Sequence, residues 1–263
     1  MSKSLLGVFA HPDDETFLAG PILAKYAAEN VHVELICGTP PQGLSLNDRS
    51  SLQRLSLKCA AEIIGIQRVH FLGYCDSPMY PVINPDFGML TTAPLDAITE
   101  NIRQILEQVR PSVIITDSPY GSYGHPDHVV IHNATVAAFT QYSRPDARLY
   151  CLAFPSFLVK LNMFLMRVLG RPVKKMGPLG NINLAATIRK FPGKTALIDV
   201  GQYVVHRRQA AHCYATEIKT AAFPLRLLEL APLWVHQLLF KRAAFTRLSP
   251  TPEGFERNLF EEI

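Results

Sequence analysis

A chain of 263 residues that is 48% hydrophobic and 18% charged can bury one large core, which excludes a disordered or fibrous class. Its five cysteines, Cys37, Cys59, Cys75, Cys151 and Cys213, lie far apart with no Cys-x-x-Cys pair, which argues against a disulfide framework or a thiolate zinc site and favours a reducing, cytoplasmic setting. The net charge of +4 is uneven: residues 1–150 hold 10 basic and 15 acidic side chains, residues 151–263 hold 16 and 7, so the second half suits either an anionic partner or simply a basic, solvated surface.

The chain opens on "MSKSLLGVFAHPD", whose apolar run is too short for a signal peptide, and no apolar segment reaches the length of a membrane span. Strands are predicted at 4–9, 31–37, 68–74, 112–117 and 148–154. Helical patterns lie between them in "DETFLAGPILAKYAAEN", "DRSSLQRLSLKCAAEIIG", "APLDAITENIRQILEQV" and "DHVVIHNATVAAFTQY". The second of these helices is expected to stop at Gly65. This alternation predicts an α/β, Rossmann-like three-layer fold with a mostly parallel sheet.

Beyond 155 the pattern changes. A helical, basic extension spans 156–263, attached to a core at 1–155 within one domain, 1–263. In it "SFLVKLNMFLMRVLG" is amphipathic, "GRPVKKMGPLG" reads as a loop and 195–200 as a strand. "QYVVHRRQAAHCYATEI" is read as a helix, "LRLLELAPLWVHQLLFKRAAF" as helical on both sides of Pro232, and the last dozen residues as loosely held.

Two distant segments share a rare composition. "HPDDE" at 11–15 follows the first strand and "GHPDH" at 124–128 follows the fourth. In a doubly wound sheet of order 3-2-1-4-5 strands 1 and 4 are neighbours, and the crevice at their carboxyl ends is where ligands bind. The first βα turn lacks the Gly-x-Gly-x-x-Gly of a dinucleotide site, and the glycines of "YGSYG" are misplaced for a nucleophile elbow.

His11, Asp14 and His128 make three N/O ligands with an open position, the pattern of a catalytic zinc site. Asp13 remains free to take a proton from an attacking water. His125 can donate to an oxyanion or to a leaving amine, and Asp127 can orient His125 and keep it protonated. Pro12 and Pro126 stiffen the two turns. Plainer readings exist for single motifs: acids at 13–15 favour a helix N-terminus and Asp127 is a fit N-cap. Glu15 is read as support behind the ligands, and His132 as a supporting or surface residue. His32, His70, His206, His212 and His236 are assigned to packing or surface, and Trp234 to packing.

At these two motifs the sequence resembles the zinc-dependent N-acetylglucosaminyl-phosphatidylinositol de-N-acetylase family, the LmbE-like deacetylases, over roughly the first 150 residues. The resemblance runs on through "CAAEIIGIQRVHFLGYCDSPM" and "VIITDSPYGSYGHPDHVVIHNATVAAF". It implies His11, Asp14 and His128 as ligands of Zn2+, with Fe2+ as the alternative in the cell, and Asp13 as general base. It implies His125 as stabiliser or acid tuned by Asp127, Tyr123 as a mobile aid to the oxyanion, and Arg54 and Asp76 as contacts to the amino sugar. Leu57 stands where the family usually carries glutamate, and "TPPQG" replaces its usual Thr-Arg-Gly, so the departures concern sugar binding and not the metal motifs.

The expected function is therefore metal-dependent hydrolysis of the acetamide of an N-acetylglucosamine-type conjugate to amine and acetate. Rival readings are an amidase on another small amide conjugate, a non-haem Fe(II) oxygenase on the same His/Asp/His set, and a non-catalytic binding module. Asp13 and His125 favour hydrolysis, since the rivals need neither. The substrate is expected to be a small molecule or lipid-linked, with no nucleic-acid partner. The segment 156–175 offers peripheral contact with an anionic membrane, at its cytoplasmic inner face, against the simpler reading that Phe157, Leu161 and Phe164 cover the sheet.

Overall fold

The computed structural model describes residues 3–40, 49–77, 88–122, 124–153, 164, 167–168, 170, 193–220 and 223–261. Seven strands form one sheet in the order β3-β2-β1-β4-β5-β7-β6. The strands are β1 (Ser4–Phe9), β2 (His32–Cys37), β3 (Arg68–Phe71), β4 (Val113–Thr116), β5 (Arg148–Leu152), β6 (Ala196–Asp199) and β7 (Arg242–Ser249). The first five are parallel, and β7 runs antiparallel between β5 and β6. The order of the parallel part and the adjacency of β1 and β4 are those read from the sequence.

The helices are α1 (Asp14–Phe17), α2 (Gly20–Ala28), α3 (Arg49–Ile64), α4 (Leu95–Val109), α5 (Pro126–Thr140), α6 (Val204–Cys213), α7 (Ala215–Thr220), α8 (Phe223–Leu230) and α9 (Leu233–Phe240). They cover both faces of the sheet. Leu5, Phe9, Val113 and Ile115 point to one face with Ile22, Leu23, Ala60, Ile64 and Ala210. Leu6, Val8, Ile36 and Ile114 point to the other with Ile98, Ile102, Leu106, Ile131 and Ala134. Strands buried on both faces explain the near-continuous apolar runs. In α4 the buried Ile98, Ile102 and Leu106 recur every fourth residue, so burial of one stripe rather than propensity holds the helix.

Four expectations are corrected. The helix predicted from Asp14 to Asn30 breaks at Leu18–Ala19, because Pro21 opens a new helix at its first turn. The helical reading of "FKRAAF" fails. The helix ends at Phe240 and β7 begins at Arg242, pairing with both β5 and β6, so the C-terminal part is not only helical. The last dozen residues are not loose: Leu259 and Phe260 are buried, and Glu256 accepts hydrogen bonds from Arg247 and Tyr150. Trp234, assigned to packing, is exposed on α9.

The cysteine reading is also corrected. Cys59 of α3 is bonded to Cys213 at the end of α6, with Cα atoms 6.0 Å apart. Spacing along the chain could not reveal this, because the two residues meet only through helix packing across 154 positions. A bridge of this kind is at odds with a reducing setting. The amphipathic segment 156–175 lies outside the described residues except for Phe164, Arg167, Val168 and Gly170, all exposed. Phe164 therefore does not cover the sheet. Among the described residues no helix is long and apolar enough to cross a membrane.

Candidate active site

The site forms where β1 and β4 end side by side, with Val8 paired to Thr116. The chain after β1 delivers His11, Asp13 and Asp14; the chain after β4 delivers Asp117 and, through the turn 118–124, the N-terminus of α5. That turn needs glycine: Gly121 has φ +70, and a Cβ there would sit 2.4 Å from the His125 carbonyl oxygen. His125 caps α5, Pro126 takes its first position, and Asp127 and His128 follow in the first turn. The "GHPDH" motif is thus a helix start whose polar residues all face the crevice of the sheet.

Asp14 is the hinge of the cluster. Its Oδ2 accepts a hydrogen bond from the His11 backbone N–H at 2.9 Å. The same atom lies 3.7 Å from His11 Nδ1 and 3.5 Å from His128 Nε2. His128 Nδ1 is 2.9 Å from Asp117 Oδ1. A carboxylate there only accepts, so Nδ1 carries a proton whether the ring is charged or neutral, and Nε2, the nitrogen turned toward Asp14, offers a lone pair to a cation once the ring is neutral. This is the carboxylate–histidine arrangement that orients a metal-binding imidazole. Asp117 was not singled out in the sequence, although it stands at the end of "SVIITD", where a strand end meets the crevice. Ser122 Oγ donates to the same Asp117 oxygen at 2.8 Å, and His132 Nδ1 lies 2.7 Å from the Asp117 carbonyl oxygen, so His132 is a supporting residue.

Two predicted residues occupy other positions than expected. Asp127 Oδ2 lies 3.0 Å from His11 Nε2 and accepts from the Ser77 N–H at 2.9 Å. Toward His125 it is the Asp127 backbone N–H that donates, to Nδ1 at 3.3 Å. The neutral His125 ring therefore carries its proton on Nε2. Asp76, expected to meet the sugar, has Oδ1 3.0 Å from His11 Nε2 and belongs to the same cluster. Arg54 is exposed on α3, and Tyr123 lies outside the described residues.

The electrostatics follow from burial and crowding. Burial disfavours charge on His11, yet Asp127, Asp76 and Asp14 outweigh it and carry the ring up to about 11. Burial likewise opposes charge on His128, but Asp14 and Asp117 raise it to about 9. His125 goes the other way, to about 4, through burial and the neighbouring His11 and His128. The ring is thus not held protonated, contrary to the sequence reading. Burial, with Asp14 and Glu15 beside it, pushes the Asp13 carboxyl well above its ordinary range. Burial also raises Asp14 and takes Glu15 to about 7.

Carboxylates that draw two buried imidazoles into their charged forms define a place that calls for positive charge. Asp117 Oδ2 and Asp127 Oδ1 are buried without a hydrogen-bond partner among the described residues. Among the described residues, nitrogen and oxygen donors within 4.8 Å of one another form three groups: His11, His125 and His128; His11, Asp76 and Asp127; and Asp14, Asp117 and His128. The predicted set His11, Asp14 and His128 is not itself one of these groups: His11 and His128 share the first, and Asp14 joins His128 in the third. The donor set fits a divalent cation of borderline softness.

Asp13 itself is backbone-strained, with φ 110 in a non-glycine residue. Such conformations cost about 1–3 kcal/mol and persist where the surroundings enforce them, most often at functional sites. Here the Asp13 N–H donates to Glu15 Oε2 at 2.8 Å, and Glu15 Oε1 accepts from Thr16 Oγ1 at 2.7 Å and from Tyr214 Oη at 2.8 Å.

The family model described as PIG-L, GlcNAc-PI de-N-acetylase, matches residues 6–139, and both His-Pro-Asp motifs fall inside that match. The chain belongs to the PIG-L family. A PIG-L family relative from Thermobifida fusca, 1D-myo-inositol 2-acetamido-2-deoxy-alpha-D-glucopyranoside deacetylase, is 30% identical over 98% of this chain and 99% of its own. The zinc-inhibited form of teicoplanin deacetylase Orf2 superposes with a TM-score of 0.62 at 12% identity, over 95% of this chain and all (100%) of its own. The 4-carboxy-2-hydroxymuconate hydratase GalB from Pseudomonas putida superposes with a TM-score of 0.59 at 14% identity, over 95% of this chain and 98% of its own. These superpositions speak for the fold alone. A hydratase and a deacetylase on one frame leave the reaction to be argued from the side chains.

Proposed function

We propose that this PIG-L family chain is a metal-dependent hydrolase that removes the acetyl group from an N-acetylglucosamine-type conjugate, releasing acetate and a free amine. The observation that carries it is the convergence of two His-Pro-Asp motifs on Asp14 Oδ2, with Asp13 beside it in a strained, enforced backbone. The relative from Thermobifida fusca supports an amino sugar linked to inositol as the first substrate to test.

His11, Asp14 and His128 would hold the cation, with Zn2+ the first candidate and Fe2+ the second. Bound there, a divalent cation polarises an amide carbonyl and acidifies water. Asp13 accepts a proton from the attacking water, and burial with Asp14 and Glu15 beside it makes it more basic than an ordinary carboxylate. His125 presents Nε2–H to the developing oxyanion, because the start of α5 occupies its Nδ1. Asp127 and Asp76 steady His11, and Asp117 steady His128. Tyr123, two positions before His125 in the sequence, is assigned a supporting contact to the oxyanion, and Arg54 a contact to the sugar.

The test is acetate release from 1D-myo-inositol 2-acetamido-2-deoxy-α-D-glucopyranoside and from simpler N-acetylglucosamine conjugates, with metal content measured on the same sample. Turnover that disappears on chelation and returns with Zn2+ or Fe2+ supports the reading. No acetate from any N-acetyl sugar with the metal site filled overturns it.

A further inference from the structure

We propose that Tyr214 is a positioning residue for the reaction, holding the Asp13 carboxylate in register through Glu15. The inference rests on the reading of Asp13 as proton acceptor. It assigns to the C-terminal half of the chain a part in a site whose other groups described above all come from the first 132 residues.

The geometry is a relay of buried hydrogen bonds. Tyr214 follows the last residue of α6, is 1% exposed, and donates its hydroxyl proton to Glu15 Oε1 at 2.8 Å. Glu15 is fully buried, and its other oxygen, Oε2, accepts the backbone N–H of Asp13 at 2.8 Å. Among the described residues Glu15 Oε1 has one further donor, Thr16 Oγ1, which belongs to the same short helix and moves with it. Tyr214 is therefore the donor that ties this carboxylate to a different part of the fold. Its own place is fixed twice over. The ring packs against Phe17 with centroids 6.0 Å apart, and the residue before it, Cys213, is bonded to Cys59 of α3.

The strained backbone gives the relay its purpose. Asp13 has φ 110, and its side chain makes no capping hydrogen bond to α1. The N–H held by Glu15 is thus what opposes relaxation of the peptide toward an ordinary conformation. Were the Glu15 carboxylate free to rotate, the Asp13 side chain would lose its aim while His11, Asp14 and His128 kept theirs. Misplacement of a catalytic group by a fraction of an ångström to 1 Å lowers turnover without weakening substrate binding.

The experiment compares Tyr214→Phe, Glu15→Gln, the double variant and Asp13→Ala on the inositol-linked N-acetylglucosamine substrate, with bound metal and melting temperature recorded for each. Tyr214→Phe keeps the ring and removes only the hydroxyl. The expected result is a fall in kcat of about tenfold or more, with KM within about twofold and metal content unchanged. The double variant is expected to be no slower than Glu15→Gln alone, since both substitutions break one relay. A kcat per bound metal equal to that of the parent in Tyr214→Phe, or effects that multiply in the double variant, would overturn the proposal. If Tyr214→Phe loses its fold, Glu15→Ala decides, because it removes the acceptor of the Asp13 N–H outright: unchanged kcat there overturns the relay. Full activity in Asp13→Ala overturns the underlying reading and this inference with it. Loss of activity in Asp13→Ala with none in Tyr214→Phe overturns this inference alone.

Discussion

Asp117 Oδ1 lies 2.9 Å from His128 Nδ1, and both side chains are sealed from solvent. This contact fixes which nitrogen of His128 faces the candidate metal centre. Asp117→Asn replaces an obligate acceptor with a group that offers either an oxygen or an NH2, so the ring loses its orientation and basicity. The expected outcome is about 10- to 100-fold weaker affinity for Zn2+, measured by competition with a chromophoric chelator. Affinity equal to the parent's would remove Asp117 from that role.

Asp13 couples stability to activity through its positive φ. Asp13→Gly relieves the backbone and removes the carboxylate in one step. The variant is expected to melt higher, by the equivalent of roughly 1 kcal/mol, while kcat falls by about 10²-fold or more. Calorimetry and acetate release on one preparation check both. A lower melting temperature with retained turnover would contradict the account.

The Cys59–Cys213 bridge joins residues 154 positions apart. In the chain-entropy model a loop of that length is worth about 5 kcal/mol, an upper figure if the reduced chain keeps residual structure. Cys59→Ser, or treatment with a dithiol reductant, is expected to lower the melting temperature by several degrees, and mass spectrometry of the alkylated parent should show two fewer free thiols before reduction than after it. Identical melting curves with and without reductant would contradict this.

Glu34 of β2 carries a pH signature away from the site. Its carboxylate pairs with His32 Nε2 at 2.7 Å and with His70 of β3. Burial alone would raise the acid, but these hydrogen bonds outweigh it and hold its pKa below the ordinary glutamate value. The stabilisation is therefore present above that ordinary value, about 4.3, and is lost as the pH falls through the depressed folded value. Glu34→Gln is expected to flatten this acid limb. Denaturant unfolding at pH values from about 6 down to about 3 reads it directly, and parallel curves for variant and parent would contradict it.

The parallel half of the sheet was legible because doubly buried strands leave unbroken apolar runs and the helices between them keep a 3.6-residue stripe. His11, Asp14 and His128 were legible because two copies of His-Pro-Asp fell after strands that this fold makes neighbours. What escaped depended on contacts with no local trace. β7 reads as a continuation of α9, since "RAAFTRLS" has no turn before it and only its antiparallel partners make it a strand. Tyr214 sits in a helical stretch 199 residues from Glu15. Asp127 invited a partnership with its sequence neighbour His125, yet the start of a helix turns its carboxylate toward His11.

The insertion of β7 between β5 and β6 orders events in time. β6 finds its sheet neighbour in β7, a segment that leaves the ribosome some 45 residues later, and β5 stays an open edge until then. The nascent molecule must therefore carry an uncapped, sticky border while the catalytic end is already assembled. A stop codon after Tyr214 but before residue 242 would leave that border bare for good, yielding a chain with its chemistry encoded and its solubility forfeited.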